Sequence, residues 1–352
     1  NSINRMYKYI RKSAKARSKD NPTLEQAMKR RDWPMFEEAI NAELQQMIDE
    51  GVYEHINYKD IGNKMRIIGS MIVLQVKRTP DGKIDKYKAR LVALGNQQTR
   101  DQYGNIKSPT ARSATVKMLI AIQAKMDAYS CVMDVKGAYL KSTIDPKKEI
   151  LYLHLPNGQY VKLKKYLYGL KQAGYEWNDL LANTLNASGY TQSKHDPCVF
   201  FKNYKDGYII MATHVDDFYV ISTKDVHIQK LHTMLTKEFN DVTIKQGDIL
   251  GYLGMEVRRH GNSGISLSQP GYVNKILEKS GIDLLSDFAE TPYSESKTEN
   301  QNVPNKVNRN KYLELIGMLN YLAVLTRPDI LYALSRCAQR CSDPDEHDLK
   351  KV

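Results

Sequence analysis

The sequence predicts an α+β fold in two or three subdomains, on three observations. Strands and helices are interleaved without the strict strand–helix alternation of a doubly wound sheet. The 352 residues exceed what one hydrophobic core usually organises. A hydrophobic share of 41% and a charged share of 26% are ordinary for a globular chain, which excludes a largely disordered, collagenous or coiled-coil protein. No run approaches the ~18 apolar residues a spanning helix needs. The polar start from Asn1 carries no signal-peptide pattern, so neither a membrane partner nor secretion is expected.

Each element has its own signal. Residues 1–22 form a basic arm, with seven bases (Arg5, Lys8, Arg11, Lys12, Lys15, Arg17, Lys19) against Asp20 in the first twenty positions. Such runs serve as tethers, nuclear signals or plain solvated tails. From Thr23 the pattern turns helical, with Trp33, Phe36, Ile40, Leu44, Met47 and Ile48 at three- and four-residue steps and Gly51 as the stop. Residues 66–76 are β-rich and lead through Pro80-Asp81-Gly82 into 87–94, a hairpin with basic residues on its returning strand. Residues 114–128 read as a helix, and 130–133 as a short strand closing on Asp134. Residues 149–155 and 160–163 read as a strand pair around Pro156-Asn157-Gly158.

A helix is predicted over 166–187, with Leu167, Leu170, Trp177, Leu181 and Leu185 as its stripe. Strands at 198–201, 208–213 and 218–222 follow, then a helix at 225–239 and strands at 251–258 and 265–268. Residues 286–310 are polar and read as a linker. Helices at 311–325 and 328–341 close the chain, broken at Thr326-Arg327-Pro328.

Fifty-two Lys plus Arg against forty Asp plus Glu give a net charge of +12. That suits a polyanionic partner, above all nucleic acid, through neutralised phosphates and released counterions; an inert basic surface gives the same count. The cysteines (Cys131, Cys198, Cys337, Cys341) lack paired C-x-x-C spacing, so a reducing compartment is expected. Cys337 and Cys341 are spaced to share a helix face, but His347 alone nearby is too little for zinc.

The sharpest feature is Asp216-Asp217 between two apolar strands. Taken singly, such a pair is also what turn chemistry produces. Yet Tyr208 to Ala212 is nearly all apolar, which predicts a buried strand. A carboxylate pair at its end would be desolvated and self-repelling, and calls for a cation. Asp134 likewise ends an apolar strand, where a plain strand end or helix cap is the simpler reading. If the two strands are neighbours, three carboxylates converge, which suits two Mg²⁺ ions about 3.5–4 Å apart.

At this point the motifs resemble a known family. Asp134-Val135-Lys136-Gly137-Ala138-Tyr139-Leu140, Leu167-Tyr168-Gly169-Leu170-Lys171-Gln172-Ala173 and Val215-Asp216-Asp217 are similar to the reverse transcriptase of copia-type LTR retrotransposons. The likeness is collinear. It takes in Lys88-Ala89-Arg90-Leu91-Val92-Ala93, Ser108-Pro109, Asp196-Pro197-Cys198, Tyr252-Leu253-Gly254-Met255-Glu256 and Thr326-Arg327-Pro328-Asp329-Ile330.

The resemblance implies a right-hand polymerase with a helical connection region. Residues 23–129 would be fingers with the first palm helix, and 130–262 palm with a fingers insertion and the primer-grip hairpin. Residues 263–285 would begin the thumb, 286–310 would be the linker and 311–352 the connection. It implies RNA- and DNA-directed addition of dNTPs to a primer 3′-hydroxyl on an RNA or DNA template. Asp134, Asp216, Asp217 and the carbonyl of Val135 would hold two Mg²⁺ ions, or Mn²⁺. Tyr139 would be the steric gate against a ribose 2′-hydroxyl. Gln172 would contact the nucleotide, and two positions past Leu170 on a helix it would face outward.

Lys88 and Arg90, on one side of a strand, would clamp the triphosphate; which makes the main contact is unassigned. Tyr252, Leu253, Gly254, Met255 and Glu256 would grip the primer. Ribonuclease H and integrase are expected from the rest of a polyprotein, in the cytoplasm within a virus-like particle, or in the nucleus. The chain departs from the family pattern at His214, where Tyr or Phe is common, and at Gly174 and Tyr175. The rival readings are a catalytically inactive nucleic-acid-binding or assembly protein and a Mg²⁺-dependent hydrolase, for which no His falls beside Asp134 as a base.

Overall fold

The computed structural model describes residues 19–62, 65–78, 83–261, 264–281, 291–293, 307–350 and 352. Residues 1–18 of the basic arm, the turn at Pro80-Asp81-Gly82 and most of the linker at 286–310 lie outside the described residues. The chain divides into two units, residues 1–119 with 128–244, and residues 120–127 with 245–352.

The first unit opens with a short helix, Leu24–Met28, started by a Thr23/Gln26 capping box. The helix Trp33–Asp49 buries Phe36, Ile40 and Met47. Strands β1 (Tyr53–Ile56), β2 (Ile67–Arg78) and β3 (Ile84–Ala93) follow, then the helix Ser113–Met126. Next come β4 (Tyr129–Val135), β5 (Tyr152–His154) and β6 (Tyr160–Leu163). The helix Ala173–Ala187 precedes β7 (Thr191–Gln192), β8 (Val199–Tyr204), β9 (Gly207–His214) and β10 (Asp217–Ser222). The helix Asp225–Phe239 leads into β11 (Val242–Gln246).

Two sheets result, in the orders β1-β6-β5-β2-β3 and β11-β4-β10-β9-β8-β7. In the first, β2 and β5 run parallel. Period-two alternation sends Ile72, Leu74 and Val76 of β2 and Ala89, Leu91 and Ala93 of β3 into a core shared with Phe36, Ile40 and Met47. Lys77, Lys86, Lys88 and Arg90 are left on the other face. The edge strand β3 is covered in part by Glu43, whose Oε1 accepts from Leu91 N–H at 3.0 Å.

In the second sheet, Cys131, Met133, Val135, Met211, Phe218 and Val220 form one buried face with Trp177, Leu181, Leu185, Ile228, Leu231 and Leu235. The last six come from the helices Ala173–Ala187 and Asp225–Phe239. Fully burying each such side chain contributes about 1.5–3 kcal/mol. By the same alternation Val132, Asp134, Asp217 and Tyr219 sit on the opposite face.

The second unit holds a three-stranded antiparallel sheet, β12 (Ile249–Tyr252), β13 (Met255–Arg259) and β14 (Ile265–Ser268). The helices Pro270–Ser280, Arg309–Leu325, Leu331–Ala338 and Glu346–Lys350 follow. Tyr312 is wholly buried there and donates its hydroxyl to Cys337 O at 2.7 Å. Among the described residues no helix is long and apolar enough to cross a membrane.

Several expected boundaries move. The single strand at 251–258 is a hairpin, because Leu253 (φ +48°) and Gly254 (φ +78°) both adopt left-handed backbone and make a two-residue turn. The helix expected from 166 starts at Ala173, after a turn in which Gly169 sits at φ +89°. The strand expected over 149–155 is only Tyr152–His154. The last long helix stops at Ala338, so Cys337 and Cys341 share no helix face. All four cysteines are free thiols.

Candidate active site

The acidic edge is built by strand register. Asp217 of β10 pairs with Asp134 of β4 on one side and with His214 of β9 on the other. Residues directly opposed in antiparallel strands have Cα atoms about 4.5–5.5 Å apart and project to one face. Asp134, His214 and Asp217 therefore share a face. Asp216 lies in the turn one residue before, and its carbonyl accepts from Val135 N–H at 3.0 Å. All three carboxylates thus gather at one end of one strand pair.

The turn itself is constrained. Val215 has φ +59°, a left-handed conformation that costs an L-residue about 1–2 kcal/mol. Trp177 holds it, donating Nε1–H to Val215 O at 2.7 Å. That indole is fully buried at the centre of the second core, so the hairpin tip is tied to the rigid part of the unit.

The site is electrostatically tense. Burial, and then the charge of Asp216, push the Asp134 carboxyl above its usual range; nearby Lys88 and Lys77 pull it back. Burial, then Asp216 and Asp134, push Asp217 up to about 6. The donors are hard oxygens, the type that binds Mg²⁺ or Mn²⁺. They share an edge rather than forming a closed cage: among the described residues no three His, Cys, Asp or Glu side chains gather tightly enough to enclose an ion.

Beside the acids stands a basic and aromatic wall. Burial and then the neighbouring Arg90, Lys77 and Lys86 lower the Lys88 ammonium's pKa. The Arg90 guanidinium lies 5.3 Å from the Tyr168 ring centroid, and its Nε is buried with no hydrogen-bond partner among the described residues. The Tyr168 and Tyr139 rings are 5.2 Å apart at 58°. Burial chiefly, with Asp216 adding, raises both phenols, Tyr168 to about 12. Both hydroxyls are therefore neutral donors at physiological pH.

The structure brings Asp134, Asp216, Asp217, Val135, Lys88, Arg90 and Tyr139 to one region of the first unit. The hairpin Tyr252–Glu256 belongs to the second unit and is described there. Gln172 is a correction. It does not face outward but is fully buried, because the helix begins one residue later and the helical rotation from Leu170 does not apply. Its Oε1 accepts from Gln98 Nε2 at 3.0 Å, and its Nε2 donates to Gln102 O at 3.1 Å and Glu149 Oε2 at 2.8 Å. Gln172 ties the loop after β3 to the start of the helix.

Sequence reasoning missed Lys77, Trp177 and Tyr168 as site residues. Lys77 is cross-strand from Lys86, and its charge reaches Asp134 and Asp217, a nearness that only the folded structure reveals. Trp177 showed as a core residue alone. Tyr168 stood in a recognised motif without a role. Gly174 does have a local reason: a Cβ there would come within 2.9 Å of the Ser108 side chain.

Comparison with known proteins shows the family. Residues 53–291, more than half of the chain, match the family model described as reverse transcriptase (RNA-dependent DNA polymerase). The chain is 27% identical over 331 residues to the retrovirus-related Pol polyprotein from transposon TNT 1-94 of Nicotiana tabacum, covering 89% of this chain and 24% of that one. It is 31% identical over 297 residues to the Pol polyprotein from transposon RE1 of Arabidopsis thaliana, covering 81% and 20%. It thus spans about a quarter or less of the length of these polyproteins. It is 30% identical to the putative transposon Ty5-1 protein YCL074W of Saccharomyces cerevisiae, covering 60% of this chain and 70% of that one. Among solved structures, the foamy viral protease-reverse transcriptase dRH in complex with ds DNA is similar over 81% of this chain and 40% of that chain, at 12% identity and a TM-score of 0.47. With its acidic strand pair and its motifs in order, the chain belongs to the reverse transcriptase (RNA-dependent DNA polymerase) family.

Proposed function

We propose that this chain is the polymerase segment of a retrotransposon polyprotein, extending a primer 3′-hydroxyl with dNTPs on RNA and on DNA templates. The observation that carries the reading is the register pair Asp134–Asp217 with Asp216 at the adjoining turn. In the reaction the primer 3′-oxygen bonds to the α-phosphorus, the bond to the bridging oxygen breaks, pyrophosphate leaves and the hydroxyl proton passes to solvent.

The hard oxygens of this donor set are of the type that takes Mg²⁺, with Mn²⁺ able to replace it, and two such ions would draw the carboxylates closer together than they now stand. Asp134, Asp216, Asp217 and the Val135 carbonyl would hold them. When bound, such ions neutralise phosphate charge and favour ionisation of the attacking hydroxyl. The protein's own side chains align the reactants and balance charge. Lys88 and Arg90 would take the triphosphate, and Tyr139 would close the space a 2′-hydroxyl needs. In this reading Gln172 braces the loop after β3 and is not a nucleotide contact.

Residues 23–129 serve as fingers, 130–262 as palm with the hairpin Tyr252–Glu256 gripping the primer, and the helix Pro270–Ser280 as the start of the thumb. Ribonuclease H and integrase would be supplied by other parts of the polyprotein. The test is primer extension with Mg²⁺ or Mn²⁺ on RNA and DNA templates. Asp216→Asn should reduce incorporation by about 10²–10³-fold, the size of losing one preorganised group that stabilises transition-state charge, while circular dichroism and duplex binding stay near wild type. Near-normal incorporation by that variant would overturn the assignment.

A further inference from the structure

We propose that Tyr168 is a positioning residue that orients both Tyr139 and Arg90, so that sugar selection and triphosphate binding depend on one ring. This rests on the polymerase reading above and deepens it.

The backbone of Tyr168 is fixed to the strand that carries Arg90. Ala93 N–H donates to Tyr168 O at 2.8 Å. Gly169, the next residue, sits at φ +89°, where a Cβ would meet Ala93 O at 2.1 Å and Val92 Cγ1 at 2.6 Å. The end of β3 and the Tyr168-Gly169 turn are in backbone contact, and only glycine allows it. Arg90 leaves the same strand three residues before Ala93.

The ring then meets two neighbours. Arg90 lies over it, and Tyr139 packs at a tilt beside it. Arg90 Nε has no hydrogen-bond partner among the described residues, so aromatic stacking takes the place of a protein acceptor in orienting this guanidinium. A hydrogen-bonded carboxylate in that role would compete with a triphosphate for Arg90; an aromatic ring does not. Tyr139 packs on both cores of the unit, and the Tyr168 ring lies against it. Tilting Tyr139 would change the space left for a 2′-hydroxyl.

The test uses the full chain, a DNA primer on an RNA template, and single incorporation of dTTP or its ribo counterpart 5-methyluridine triphosphate, which differ only at the 2′ position. Tyr168→Leu should raise the KM for dTTP by about tenfold with kcat little changed, the size of a lost cation–π contact in a partly desolvated site. It should also lower the preference for dTTP over that ribonucleotide by about tenfold. Tyr168→Phe keeps the ring and should restore both. If the Leu variant fails to fold by circular dichroism, Tyr168→Met, longer and able to adapt to the space the ring leaves, is read the same way. A double-mutant cycle with Arg90→Gln should give KM effects well short of multiplicative. An active wild type whose Leu or Met variant keeps both the dTTP KM and the sugar preference overturns this inference alone. A wild type that incorporates no dTTP overturns the polymerase reading and takes this inference with it.

Discussion

Val215 carries the tightest constraint at the acidic edge, a β-branched residue in left-handed backbone between the paired His214 and Asp217. Its carbonyl is satisfied by a side chain, the Trp177 indole. Trp177→Phe keeps an aromatic ring in the core, though a smaller one, and removes that donor. It should destabilise the protein by about 1–3 kcal/mol, the cost of an orphaned buried acceptor, seen as a lower midpoint in urea. Incorporation should fall as well, since the turn carrying Asp216 loses its tie. Gln172→Ala behaves differently. It strands the partners Gln98 and Glu149 of a buried network and should cost a similar amount of stability while moving the dNTP KM by less than about threefold; a large KM change with full stability would restore Gln172 as a direct contact. The three aspartates were legible in the sequence because acids closing apolar strands break a local rule. Tyr168 was not, because its meaning lies in contacts with residues 29 and 78 positions before it.

Elements are joined here by polar staples that leave little trace in hydrophobic periodicity. Asp196, buried just before β8, accepts from Arg112 N–H at 3.1 Å, Thr115 Oγ1–H at 2.7 Å and Cys198 N–H at 3.1 Å. It caps the N-terminal turn of the helix Ser113–Met126 from a distant segment, satisfying donors a helix start leaves open. Burial alone would raise its carboxyl; the bonds from Thr115, Arg112 and Cys198 outweigh that and hold it below the ordinary 3.8. Its folded-state preference for the ionised form therefore stabilises the protein above that ordinary value, and is lost as pH falls through the lowered one. Asp196→Asn should cost about 1–2 kcal/mol at pH 7, and the gap between mutant and wild-type melting temperatures should narrow below about pH 4. An equal gap at pH 7 and pH 3 would show that ionisation is not involved. Sequence periodicity found the helix and the strand but not this staple. It likewise placed the helix at 166–187 too early, because apolar residues of the 166–172 turn happen to continue the helical stripe.

At the scale of the whole molecule, charge is the feature that composition gave most directly, while the division into units was not. Residues 120–127 join the second unit although their helix begins in the first, an exchange that only long-range contacts define. The net charge of +12 has a consequence independent of the active-site chemistry. A protein that holds a primer–template by its phosphates releases condensed counterions, so its affinity falls linearly in log salt with a slope near −0.9 per neutralised phosphate of a duplex. With about six such contacts, binding should weaken by on the order of 10³-fold between 50 and 200 mM salt. Because phosphates carry no sequence information, unrelated duplexes of equal length should bind alike. The measurement is fluorescence anisotropy of labelled duplexes across a salt series, with Asp216→Asn run in parallel so that turnover plays no part. The variant should give the wild-type slope, since removing one acid shifts the total charge slightly and removes no cation. An affinity that stays flat with salt, or differs strongly between sequences, would mean that the cationic excess is not what holds nucleic acid.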